Sequence, residues 1–151
     1  MNKLLAVAGV AVLAFGGWRL WTHERAQVDD TSLIADRLWI DHIPKNERDI
    51  VNVFVVLSDD ELGIFQASSA WKIDVELFKH EGRGGDFRFV FPQTGTKEKV
   101  RAKARECHQG GMDYCLEITG SDHGVKRYYS NEGWEVGSLD AEQQLVKKLA
   151  H

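Results

Sequence analysis

Proline is almost missing from this chain: Pro44 and Pro92 are the only two in 151 residues. Pro-rich linkers and polyproline recognition segments are thereby excluded. Cysteine is equally scarce, with Cys107 and Cys115 alone, which rules out a multi-bridge scaffold and any four-thiolate metal site. Positive charge is not in surplus either. A net charge of −4 offers no basic face for nucleic acid, which is excluded as a partner. Internal repeats and low-complexity tracts are absent.

Catalytic patterns are missing as well. Ser68, Ser69, Asp74 and His80 are of triad type, but no Gly-x-Ser-x-Gly elbow fixes their geometry, so these serines read as ordinary strand residues. The histidines between residues 33 and 150 fall singly, at Asp41-His42, His80, His108 and Asp122-His123, without the close pairs that preorganise metal ligands. Gly82-Arg83-Gly84-Gly85 is a turn, because no strand-to-helix context makes it a phosphate cradle. No catalytic residue, metal or cofactor is expected, and an enzyme is not the favoured class.

What is present begins with an apolar run, Leu4 to Gly17, followed by Trp18-Arg19-Leu20-Trp21. It is short for a bilayer span of about 20 residues. Leu20 and Trp21 extend it if Arg19 snorkels, and the two indoles suit headgroup depth. Residues 1–21 therefore read as a membrane anchor, with a cleaved secretory signal as the alternative. Residues 22–32 are a polar linker, and 33–151 form one domain. The two cysteines, eight positions apart, suit a disulfide across a hairpin mouth, and disulfides persist in oxidising compartments. The expected location is a bacterial inner membrane with the domain on the periplasmic side, or the periplasm itself after leader cleavage.

The domain reads as mainly β. Strands are expected around Trp39, over Val51–Leu57, Leu62–Ser69, Trp71–His80, Phe87–Phe91, Tyr114–Thr119 and Val125–Ser130, from β-branched content and alternation. Phe87, Phe89 and Phe91 share one face. Lys97–His108 fits both helix and strand spacing; placing Cys107 opposite Cys115 favours the strand, with Arg105 facing Glu117 and Ala104 facing Ile118. Leu139–Ala150 is a helix capped by Ser138, with Leu139, Leu145, Val146 and Leu149 toward the domain. Eight consecutive antiparallel strands and one C-terminal helix close most easily into an up-and-down barrel.

The chain here resembles the calycins, the lipocalin-like barrels, in Asp36-Arg37-Leu38-Trp39-Ile40-Asp41 and Gly124-Val125-Lys126-Arg127-Tyr128-Tyr129-Ser130. The resemblance implies that Trp39 near the first strand is covered by Arg127 near the last. Arg37 stands where the lipocalin signature has glycine. The segments Phe65–Trp71, Phe91–Gly95, Asp113–Ile118 and Gly124–Glu135 also resemble a set of uncharacterised exported bacterial proteins, which implies no activity. If Ile118 opposes Val125, parity turns Arg127 and Glu106 inward as a pair beside Leu116. One further residue in that turn sends Arg127 outward instead.

Two functions fit such a barrel. A solid one, filled by Phe87, Phe89, Phe91, Tyr114, Leu116 and Tyr129, is a non-catalytic accessory or docking domain for another envelope protein, held at the inner membrane by residues 4–21. An open one, with Ala102 and Ala104 leaving room on one wall, carries a small apolar ligand. The first is preferred, because small barrels fill more readily than they stay open.

Overall fold

The computed structural model describes residues 30–149. The anchor or signal segment and most of the linker lie outside the described residues. No helix among those described is long and apolar enough to cross a membrane.

The chain is mainly β: eight antiparallel strands close into a barrel in sequence order, and one helix follows. The strands are β1 (Trp39–Ile40), β2 (Val51–Leu57), β3 (Leu62–Ser68), β4 (Ile73–Arg83), β5 (Asp86–Phe91), β6 (Thr96–Gln109), β7 (Met112–Thr119) and β8 (Arg127–Ser130), with β1 pairing β8 to close the ring. The helix α1 (Leu139–Leu149) begins at Ser138, whose hydroxyl accepts from the Ala141 amide at 3.2 Å. Alternation on β2 builds two cores at once. Phe54 and Val56 point inward, while Val51, Val53, Val55 and Leu57 point outward and are covered together with Leu139, Leu145, Val146 and Leu149 of α1.

The ambiguous segment is strand throughout, as β6. Its pairing differs from the expectation. Arg105 faces Cys115 and Ala104 faces Leu116, two residues away from the expected register. A shift of two preserves which side chains face in, so the basic row Lys99, Arg101, Lys103 and Arg105 stays on the outer face. The disulfide between Cys107 and Cys115 forms all the same, on a diagonal next to a register shift between Glu106 and Gln109, with Cα atoms 5.7 Å apart.

In the last hairpin the shift is one residue, which does reverse the faces. Glu117 opposes Arg127, and the Ile118 amide donates to the Lys126 carbonyl. Tyr128 therefore enters the barrel and Tyr129 packs outside it, where the sequence reading had the reverse. The cause is the longer connection over residues 120–126, pinned where the Val125 amide donates to the Tyr128 hydroxyl at 2.9 Å.

The barrel has two unlike ends. At one, the 3-10 turn Thr31–Leu33 and Ile34 form a plug: the Asp30 amide donates to the Ala104 carbonyl at 2.6 Å, and Ile34 is buried in the inner core. Ile34 of this plug shares the buried inner core with Ala102 and Ala104. At the other end, the connection over 120–126 crosses toward β4 and β6.

Candidate docking surface

The interior is packed with rings. Trp39, Phe54, Phe65, Phe78, Phe89, Phe91 and Tyr128 are buried together, with centroids 4.1 Å apart for Phe78 and Phe89, 5.2 Å for Phe54 and Phe65, and 5.7 Å for Phe54 and Tyr128. These are contact distances for aromatic pairs. Burial holds the Tyr128 phenol protonated well above its ordinary range. A Cβ added to Gly63 would run into the Phe78 ring, so glycine at 63 is what lets that ring lie against β3.

The barrel-closure residues proposed from sequence do not meet. Arg127 and Glu106 are both exposed, Arg127 facing out beside Glu117 and Glu106 at the rim opposite Tyr114. Trp39 is fully buried and donates from Nε1 to the Ile34 carbonyl at 3.1 Å. The guanidinium at this end belongs to Arg37, the residue in the glycine position. It lies 4.6 Å over the Tyr114 ring, donates to the Asn131 carbonyl at 2.7 Å and pairs with Glu135. Parity explains the exchange: the one-residue shift in the last hairpin turns Arg127 away, while Arg37 reaches the carbonyl and carboxylate that a buried guanidinium requires.

Ser68, Asp74 and His80 do not assemble either. His80 is buried with Nε2 2.8 Å from the Leu57 carbonyl, Ser68 bonds to Gln66, and Asp74 is exposed. Among the described residues, no group of three or more His, Cys, Asp or Glu side chains is placed to hold a metal ion. His42 sits between Asp41 and Asp49 in the β1–β2 connection, at 2.8 and 3.2 Å. The Lys45 amide, then His42, hold the Asp49 carboxyl below its ordinary range.

Two features escaped the sequence reading. The first is a clasp at the unplugged end. His123 stacks on Phe91 at 3.9 Å, with Nδ1 3.0 Å from Glu98 and Nε2 3.1 Å from Glu76. Each ring nitrogen thus faces a carboxylate oxygen. Glu98 is further held by the Ser121 hydroxyl at 2.6 Å. The second is Glu142 on α1, fully buried with neither carboxylate oxygen hydrogen-bonded. Burial pushes its carboxyl up to about 7.

Outside the barrel lies the surface that is not satisfied. Trp71, Ile73, Val75 and Leu77 are 78, 62, 41 and 39 % exposed. The last three are successive outward residues of β4, so they form one stripe. The stripe borders a groove of about 290 Å³ between α1 and the barrel, lined by Ile73, Gln66, Ser68, Val146, Lys147 and Leu149. An alternation apolar–acidic through Ile73-Asp74-Val75-Glu76-Leu77 was visible in the sequence, but which face is covered is decided by where α1 lands. In comparisons with known proteins, no family model, no curated protein and no solved structure matches this chain.

Proposed function

We propose that this protein is a non-catalytic docking domain of a cell-envelope assembly, held at the inner membrane by residues 4–21 with the barrel on the periplasmic side. The stripe Trp71-Ile73-Val75-Leu77 carries the reading. Scattered apolar residues on a surface need no explanation, whereas a contiguous row beside a groove is how an interaction site is built. An eight-stranded barrel is compatible with small-ligand binding as a fold, but here the seven buried rings occupy the place of the ligand. The disulfide supports an oxidising compartment.

The test is site-specific photocrosslinking in intact cells that make the protein. A crosslinker at Trp71 or Leu77 is expected to give a discrete protein adduct, and one at Arg101 on the outer face of β6 is expected to give none. The protein is expected in the carbonate-washed membrane pellet with its leader uncleaved. A soluble product beginning near Phe15 or Gly17 overturns the anchor. Absence of adducts at both stripe positions, with a small apolar molecule released on unfolding, overturns docking in favour of carriage.

A further inference from the structure

The barrel is closed, yet the two ladders of one strand, β4, overlap only at Lys79. β4 pairs with β3 from Ile73 to Lys79. It pairs with β5 only from Lys79 to Arg83, because β5 ends at Phe91 and the chain turns back into β6. Direction along β4 follows from the alternation of an antiparallel ladder. The His80 amide donates to the Glu61 carbonyl of the β3 side at 2.9 Å, so even-numbered residues bond toward β3. Odd-numbered residues bond toward β5. The N–H and C=O groups of Ile73, Val75 and Leu77 therefore point past the end of β5, at a free edge. Across this gap the side chains of Glu76, His123 and Glu98 join β4 to β6.

A free edge with exposed apolar residues is a template for another strand. Its side chains state which strand. The outer face is Ile73, Val75 and Leu77, and the inner face is Asp74 and Glu76, with Glu98 beyond. A second copy of this chain does not fit. Antiparallel pairing of this edge with itself sets Asp74 against Asp74, Asp74 against Glu76, or Glu76 against Glu76 in every register that overlaps three or more of residues 73–77. Like charges directly opposite one another are destabilising. Within the chain the matching solution is already used where β4 is paired, since Glu81 faces Arg88 of β5.

We infer that the edge Ile73–Leu77 accepts, by strand addition, an extended segment of a partner protein whose residues alternate between apolar and basic. The apolar side chains lie along Val75, and the basic ones face the exposed Asp74, with Glu76 beside it already engaged by His123. This inference rests on the docking reading above and names the kind of partner segment and its mode of binding. Backbone bonds supply affinity in such a mode and the alternating side chains supply selectivity.

The experiment uses the full-length chain in detergent micelles and two acetylated, amidated peptides, Thr-Val-Lys-Val-Lys-Val-Thr and the same peptide with Glu for each Lys. The Lys peptide is expected to slow amide exchange at Ile73, Val75 and Leu77 and to bind at least tenfold more tightly than the Glu peptide. Val75→Pro removes one edge donor without touching the β3 ladder, and proline is tolerated on an edge whose N–H faces solvent. It is expected to weaken the Lys peptide at least tenfold at an unchanged unfolding midpoint. Asp74→Lys, at an exposed position, is expected to reverse the preference between peptides and serves should the proline variant not fold. Equal binding of the two peptides, or binding that perturbs Val146 and Leu149 with no protection on β4, overturns strand addition. Neither result touches the crosslinking at Trp71, whose failure would instead sink docking itself.

Discussion

Glu142 is the residue whose chemistry is least like that of an ordinary surface carboxylate. Placed on the covered face of α1 without a hydrogen-bond partner, it retains its proton up to about pH 7 against an ordinary 4.5. The folded state therefore binds this proton more tightly than the unfolded chain. Its contribution to stability is full below pH 4.5 and is lost as pH rises through 7. At roughly 1.4 kcal/mol per pKa unit the loss is about 3 kcal/mol. Urea unfolding midpoints are expected to fall between pH 5 and pH 8 in the native protein and to fall less in Glu142→Gln, which is the more stable of the two at pH 8. Parallel profiles for the two proteins would refute the assignment. Gly63 sets a second test at this scale: Gly63→Ala forces the Phe78 ring out of its place and is expected to cost about 1–3 kcal/mol through overpacking.

Among the elements, the β6–β7 hairpin shows what a sequence discloses and what it withholds. Alternation is a local property, so β2 to β5 and β7, the inward phenyl rings of β5 and the capped helix α1 are legible, whereas the segment of β6 fits helix and strand alike and its outward basic row follows only from the strand. Register is not local. Setting Cys107 opposite Cys115 assumed a straight ladder, whereas the shift between Glu106 and Gln109, with His108 at φ 47°, lets the bridge run diagonally. The His123 clasp was hidden for a related reason, since its partners Glu76 and Glu98 lie far away in the chain and share no spacing with it. The early end of β5, which frees the edge of β4, depends on a turn at Phe91–Thr96 that alternation alone does not place. Closing a loop of about nine residues is worth roughly 2.5 kcal/mol in the chain-entropy model. Cys107→Ser with Cys115→Ser is expected to lower stability by that amount, and reduction of the native protein is expected to reproduce it. An unchanged midpoint under reducing conditions would show that the hairpin holds without its bridge.

For the molecule as a whole, the plug at Asp30–Ile34 has a mechanical consequence. It fixes the place where the upstream chain leaves the barrel, on the β6 side at the end opposite the free edge of β4. Anything that holds the chain upstream of residue 30 is thus a leash attached to the rear of the domain, with the receptive strand facing forward. Residues 22–29 number eight, which at about 3.5 Å each spans at most roughly 28 Å. If residues 4–21 hold the chain at a membrane as proposed, that reach confines the edge to a thin layer above the point of attachment. Targets fixed in the same layer are met at an effective concentration set by leash length, on the order of millimolar for a short flexible connection. Under such confinement a five-residue edge need bind only weakly to stay occupied. Lengthening the leash would weaken capture without altering a single contact.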